Sequence, residues 1–378
     1  MVSTRPVPRI VVDVSEAKKL WNAFSDEFLA GAAQTVDWFL NWQSFANSDC
    51  LVAALCIEGR PVFLLPLEIE RKGSLRIAGY AGGPHANCNF PALEPTQPVK
   101  SEDLARLFAA LRKARPDIDV VALARQLGKL AGVPNPLMQL PHRANPNVSL
   151  AIKLDGNFEN ILNRHNPKRK TKKHRHVTRR YDDGGGYRIV TAANATEAAA
   201  MLDNYFEWKA DRLGRAGIKN TYEPKGVKEF FHRLFVDETR SDSPRFQLRA
   251  LEVAGKYRAV LGKSHARGQT FIDFVGIADD EFINTSPGEF LFYKDIEESC
   301  GSDLAIYSFG IGDEPYKRSW SDIETPTYDT DISLTARGRM HSFYLGTRGA
   351  LVRRIKQNEK IWALVKSART RLRGQHRA

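Results

Sequence analysis

The sequence predicts an α/β (α+β) protein of two tandem domains, each a mixed, largely antiparallel central sheet flanked by helices, with a basic helix at the C-terminus. Three observations carry this. The chain has 378 residues, enough for two or three domains at roughly 150 residues each. Short apolar runs bounded by glycine-containing turns alternate with amphipathic stretches at helical spacing. The order of elements also recurs: helix, helix, antiparallel hairpin, strand, helix, strand, with hairpin turns around Gly59 and Gly255 in equivalent places. The expected boundaries are 1–147, 148–335 and a tail over 336–378.

In the first half, Ser15 can cap a helix to Ala30 that places Leu20, Trp21, Phe24 and Phe28 near one face. Thr35 to Phe45 reads as an aromatic helix with Trp38, Phe39, Trp42 and Phe45. Strands are expected over Leu51–Ile57, Pro61–Glu70, Leu75–Tyr80 and Val120–Leu123, with a helix over Asp103–Ala114. Prolines 134, 136, 141 and 146 crowd a linker. In the second half, Ser149–Leu154 is a strand and Asn157–Tyr181 a helix broken near Pro167. Strand Tyr187–Thr191 and helices Thr196–Leu213 and Gly226–Thr239 follow. Then come strands Phe246–Val253, Tyr257–Ala266 and Thr270–Val275, helix Gly288–Cys300 and strand Ala305–Phe309. Ile332–Leu334 is a late strand and Leu351–Leu372 a terminal helix.

The net charge of +12 is concentrated. Arg164 to Arg180 holds nine Lys or Arg and no acid, and Ala336 to Ala378 holds twelve and one acid, Glu359. The rest of the chain is mildly acidic, so an anionic partner or a solvated helix face accounts for each patch. Arg164–Arg180 contains no aromatic residue, and base stacking needs one; nucleic acid is therefore not the expected partner. Leu351, Ile355, Trp362 and Val365 form one helical stripe among cations. That pattern fits either a helix on an anionic membrane surface, through 351–378, or a helix packed on the second domain. The longest apolar runs, Leu51–Ile57 and Pro61–Leu67, fall far short of the roughly 20 residues that span a bilayer. Met1 to Lys19 has no secretory apolar core, and the four cysteines form no C-x-x-C pair, which points to a reducing cytoplasm. His85 and Cys88 make one metal-type pair without a second, so no metal is expected.

Three segments can carry chemistry. Ser286-Pro287-Gly288-Glu289-Phe290-Leu291 follows a strand and opens a helix, where free amides and the helix dipole suit a pyrophosphate or simply make a capped helix start. Asp273 lies mid-strand, on the face of Phe271 and Val275 by strict alternation, with Ile272 and Phe274 opposite. It reads as a general base, a substrate anchor or a solvent-facing acid. Gly310 to Arg318 leaves a strand end. There Tyr316 can donate a proton to a leaving group and Lys317 can neutralise developing negative charge. Trp208, Lys209, Asp211 and Arg212 read as core and solvated charge.

Four stretches together resemble a known family: Val36 to Trp42; Arg179-Arg180 with Gly184 to Val190; Gly276 to Asp279 leading to Ser286-Pro287-Gly288; and Phe309-Gly310-x-Gly312-Asp313-x-x-Tyr316-Lys317. They resemble the GNAT-fold acyltransferases of the BioF-like group, which includes the CelD/BcsL proteins of polysaccharide biosynthesis and is similar in build to the two-domain FemABX transferases. The resemblance implies transfer from acetyl-CoA or another acyl-CoA to an amine or hydroxyl, on a small-molecule or saccharide acceptor. It implies a degenerate first domain, and a pyrophosphate cradled by Ser286, Gly288, Glu289, Phe290 and Leu291. Asp273 is then the base and Tyr316 the acid. The usual glycine-rich signature is reduced to Gly288, which leaves acyl-CoA and aminoacyl-tRNA both open as donor. The alternatives are a nucleic-acid-binding protein and a non-catalytic assembly protein.

Overall fold

The structure is a computed structural model and describes residues 5–25 and 27–340. The terminal stripe and membrane-facing helix expected over 351–378 lie outside the described residues. In chain order the strands are β1 (Val7–Val11), β2 (Cys50–Ile57), β3 (Arg60–Lys72), β4 (Leu75–Tyr80), β5 (Ala92–Leu93), β6 (Val120–Leu127), β7 (Lys129–Leu130), β8 (Val133–Pro134), β9 (Arg143–Lys153), β10 (Tyr187–Thr191), β11 (Phe246–Val253), β12 (Lys256–Ala266), β13 (Gln269–Ile277), β14 (Ile306–Ile311) and β15 (Ile323–Ser333). The α-helices are α1 (Val14–Asn22), α2 (Val36–Asn41), α3 (Ser101–Ala114), α4 (Phe158–Arg164), α5 (Pro167–Asp183), α6 (Ala195–Arg215), α7 (Val227–Glu238), α8 (Pro287–Ser299) and α9 (Pro315–Arg318).

Among the described residues, thirteen strands form one sheet in the order β1-β2-β3-β4-β6-β15-β9-β14-β13-β12-β11-β10, with β5 beside β3. The two halves are built alike. The β2–β3 turn pairs Ile57 with Arg60, and the β11–β12 turn pairs Val253 with Lys256. Each hairpin shifts register at the same distance from its turn, between Leu55 and Cys56 and between Leu251 and Glu252. A shared bulge is a stronger sign of duplication than shared element order, because bulges are specific local features.

The halves are joined through β9 and β15. β9 pairs with β14 of the second half, β15 pairs with β6 of the first, and β9 and β15 pair with each other. A single sheet therefore runs through both. β9 begins at Arg143, inside the proline-crowded stretch expected to be a linker, and a boundary at 147/148 falls within it. β15 is the largest departure from the sequence reading, which recognised only its end. Its residues are polar, it contains Pro326, and its burial does not alternate. It is held by backbone pairing on both sides rather than by an apolar face, so periodicity gave no signal.

Smaller departures have local causes. Asp13, not Ser15, caps α1 by accepting from the Glu16 amide at 2.9 Å. The helix ends at Asn22, and the chain then turns so that Leu29 bridges Leu93. The aromatic helix is short, and Trp42–Ala46 continue it as a π-helical turn. Trp38 and Trp42 each meet Phe230 of α7 edge-on at 4.9 Å, so the apolar core is continuous between the halves.

One buried carboxylate fixes α8. Asp295 is fully buried and accepts from Arg249 of β11 at 2.7 Å, Lys263 of β12 at 2.8 Å and the Tyr307 hydroxyl of β14 at 2.7 Å. Burial pushes its carboxyl up, but the Lys263 and Arg249 charges and the hydrogen bonds outweigh that and hold it below the usual range. Replacing Asp295 by Asn leaves buried Lys263 without its counter-charge and Arg249 with Glu298 alone. A loss of about 3–5 kcal/mol is expected, measured as the urea midpoint at constant slope.

Candidate functional site

β13 and β14 run parallel but pair only over Gln269–Phe271 with Ile306–Ser308, after which they part. At that point β13 carries a bulge. Gly262 of β12 faces Phe274 and Lys263 faces Ile272, which leaves Asp273 as the extra residue. The bulge overturns strict alternation. Phe271 and Phe274 both join the core on the α6–α7 side, while Ile272, Val275 and Ile277 pack on the α8 side. Asp273 is thus aimed by a backbone irregularity, a device common beside active sites.

Asp273 Oδ1 accepts from the Ser264 hydroxyl at 3.0 Å. Its Oδ2 is buried without a partner among the described residues. Burial pushes the carboxyl up to about 7, against the opposing Ser264 hydrogen bond. The carboxyl therefore changes protonation near neutrality and offers an open oxygen, which is what a general base requires. The first half supplies part of its wall: Trp38, His85, Asn87 and Cys88 line the same small pocket. The His85 Nε2–H donates to the Thr221 carbonyl at 3.1 Å, and burial pushes its ring down to about 4, so the imidazole is neutral. The Cys88 thiol is pushed up to about 11 by burial and stays protonated. Neither is poised as a nucleophile.

Tyr316 and Lys317 sit on α9, just past β14. The Tyr316 ring stacks on Phe292 at 5.5 Å, and burial raises its phenol well above the ordinary value. It keeps its proton and can donate a hydrogen bond. Lys317 does not fit the role read from the sequence. It is 7% exposed, donates to the Ile311 carbonyl at 2.8 Å and pairs with Glu314 at 3.0 Å. Its charge is spent on closing the turn around Gly312, whose φ of +131° and close approach to both side chains require glycine.

The start of α8 also differs from expectation. Phe290 and Leu291 are core side chains: Phe290 stacks on His174 at 4.7 Å and Leu291 is fully buried. The amides of Glu289 and Phe290 already donate to the Ser286 carbonyl at 3.0 and 3.1 Å. Pro287 has none, so Gly288 holds the first-turn amide with no backbone acceptor among the described residues. What the sequence reading missed is the neighbour. α5 lies along this helix start, with Lys173 donating to Ser286 Oγ at 3.2 Å and ion-paired to Glu289. Lys170 stands 3.7 Å over the Trp320 ring, and burial pushes its ammonium down to about 8. The basic run was visible in the sequence; its place against α8 was not.

A cleft of about 1060 Å3 opens where β13 leaves the sheet, bounded by Trp208, Asp211 and Arg212 of α6, Arg258 and Asp280. Trp208 packs against the core and Asp211 and Arg212 are exposed, as expected, and together they line this cleft. Arg258 is paired with Asp280 at 2.6 Å and Glu281 at 2.8 Å. Arg212 makes no ion pair among the described residues, and its charge acts on Tyr316.

Residues 168–318 match the family model of the acetyltransferase (GNAT) domain. No curated protein matches the chain. Among solved structures, FemX is 10% identical with a TM-score of 0.53, over 84% of this chain and 95% of that one. A conserved protein of unknown function from Bacteroides thetaiotaomicron is 12% identical with a TM-score of 0.52, over 85% and 98%. At such identities the likeness concerns the fold, and the fold here is GNAT-like: a large, mostly antiparallel sheet flanked by helices, parting beside a helix start.

The raised carboxyl has a stability signature. Asp273 holds its proton more tightly in the folded protein than in the unfolded chain. Its folded-state contribution is therefore present at low pH and lost as pH rises from about 4 through about 7. Asp273→Asn, which cannot ionise, is expected to melt a few degrees above the unsubstituted protein at pH 8, with the gap much narrower at pH 5 and closed below about pH 4. Parallel melting curves at both pH values would show the carboxyl to be unshifted.

Proposed function

We infer that the second half catalyses acyl transfer from a thioester donor, acetyl-CoA or another acyl-CoA, to an amine or hydroxyl. The observation that carries this is the unpartnered Oδ2 of Asp273, set by a bulge where two parallel strands part beside a helix start. The match of 168–318 to an acetyltransferase domain supports it. We assign 148–335 to the catalytic unit and 1–147 to a degenerate copy that walls the site.

The residues present fit the donor. The Gly288 amide, Ser286 Oγ and the Lys173 and Lys170 ammoniums gather at the start of α8 and can hold phosphate oxygens, provided Glu289 keeps its pairing with Lys173. Acyl-CoA supplies an activated acyl group. Asp273 takes the acceptor's proton at Oδ2, which raises the nucleophile's reactivity at the moment of attack. Tyr316, past the end of β14, is assigned to the leaving sulfur. Its raised pKa makes donation of a hydrogen bond its larger contribution, with proton delivery following as the sulfur gains charge. Lys317 positions the Gly310–Glu314 turn and makes no direct contribution.

In this reading the protein sits with the BioF-like group and the CelD/BcsL proteins. Its acceptor is a small molecule or saccharide of polysaccharide or cell-envelope synthesis, and it works in the cytoplasm at the inner membrane face through 351–378. One observation favours a second donor. Lys168, Arg169, Lys172, Arg175, Arg179 and Arg180 are exposed along α5 and make no ion pair among the described residues, as contact with a polyanion such as an aminoacyl-tRNA would require.

Turnover with acetyl-CoA and an amine panel tests the first reading. kcat/KM should rise with pH and level off above an apparent pKa near 7, and Asp273→Asn should remove the slope and lower the rate by roughly 10²–10⁴-fold. Tyr316→Phe should cost roughly 10-fold or more in kcat with little change in donor affinity. Gly288→Asp, whose Cβ meets Ile277 at 3.1 Å, should abolish coenzyme A binding in a folded protein. No turnover with any acyl-CoA, but turnover with aminoacyl-tRNA, would transfer the assignment to the second donor.

A further inference from the structure

The first half has its own parted strands. β4 and β6 run parallel and pair only through Ile77–Val120 and Ala78–Val121. Deeper in, the gap is closed by the chain itself. Asn89 bridges Gln126, and its side chain donates to Ala124 at 2.8 Å and Ala86 at 3.2 Å while accepting from Gln34 at 2.7 Å. What stays open is a cleft of about 400 Å3 against β3.

Most polar groups on its wall are already spent. Arg125 donates to the carbonyls of Gly83 and Pro84 and to Asn87, and the Tyr80 hydroxyl donates to Gln126 at 3.1 Å. Two carboxylates remain. Glu68 is 2% exposed; its Oε2 accepts from Trp42 Nε1 and Asn47 Nδ2, both at 2.9 Å, and its Oε1 is buried with no partner among the described residues. Glu70 follows two residues on, hence on the same strand face, with Oε2 paired to Lys72 at 3.1 Å. A Cβ on Gly83 would lie 3.1 Å from Glu68 Oε1 and 4.0 Å from Glu70 Oε1, so both oxygens converge on one point of the wall.

Burial raises the Glu68 carboxyl against the hydrogen bonds from Asn47, Trp42 and the Gly82 amide, and the Glu70 charge beside it adds repulsion. A cation relieves both. Two carboxylates supply a minority of the six or more oxygens a hard divalent ion takes. An ammonium needs less: three N–H donors on a compact charge. We propose that this cleft binds a small molecule through a primary ammonium group held between Glu68 and Glu70.

Calorimetry on the full chain tests this with glucosamine and putrescine as probes, against N-acetylglucosamine and diacetylputrescine. At least one amine should bind saturably, at least tenfold tighter than its acetylated form. Glu68→Gln, which can still accept from Trp42 and Asn47, should lose at least tenfold, and Glu70→Gln at least threefold. The proposal is overturned if neither amine binds, if the acetylated forms bind equally, if calcium chloride binds in their place, or if folded Glu68→Gln binds as the unsubstituted protein does. Should Glu68→Gln fail to fold, unchanged affinity in Glu70→Gln overturns it. The cleft and the acyl-transfer site lie in different halves, so amine binding without turnover, or the reverse, separates the two readings.

Discussion

A single carboxylate decides where α8 can lie. Asp295 draws an arginine, a lysine and a tyrosine from three strands onto one helix turn, at a depth where none of these groups tolerates being alone. The interaction is demanding rather than merely favourable: moving α8 would separate Asp295 from two buried cations and a buried hydroxyl at once. Fixing the helix fixes its start, and with it the Gly288 amide and Ser286 beside the parted strands. The bulge at Asp273 lies on β13, the α8 start packs against Val275 and Ile277 of the same strand, and Asp295 fixes the helix without touching either.

The pairing of β15 with β6 adds a second constraint. A strand of the second half completes the ladder of the first, so the halves cannot part without breaking it. This makes the contact of the first-half loop with Asp273 part of the architecture. His85, Asn87 and Cys88 reach the second half's carboxylate because β6, β15, β9 and β14 form a continuous bridge. Cys88 itself adopts φ of +51°, a conformation that costs a non-glycine residue and that packing on both sides maintains.

Most of the ladder was legible in the sequence, because β2, β3, β11, β12 and β13 carry apolar runs ended by glycine turns. β15 was not, because its stability comes from pairing and not from an apolar face. At the site, Asp273 stood out as an acid in an apolar strand, and the structure keeps it prominent. Its environment was misread, since a bulge is invisible to a period-2 rule. Lys317 looked like a free cation because residue type does not reveal a partner; its partners, Glu314 and the Ile311 carbonyl, are three and six residues away along the chain. The α5 lysines appeared only as net charge, for the same reason that Asp295 escaped notice altogether. Pairing between distant elements leaves no periodicity behind.

The two halves share a plan and diverge at one place, the gap between the parted parallel strands. In the first half, Asn89 enters the gap as an improvised strand, its backbone bonded to Arg125 and Leu127 and its side chain accepting from Gln34. In the second, Gly310 takes φ of +68° and passes 2.8 Å, measured from a notional Cβ, from the Ile272 carbonyl, and the first-half loop through His85, Asn87 and Cys88 walls the small pocket left at Asp273. A polar residue closes one gap across its backbone, and the other keeps a small pocket at a carboxylate. A chain with both gaps open would have two weakened sheet centres to stabilise. With one gap filled, the first half becomes a rigid wall, and the cost of an unpaired buried carboxylate at Asp273 is carried by a sheet complete everywhere else.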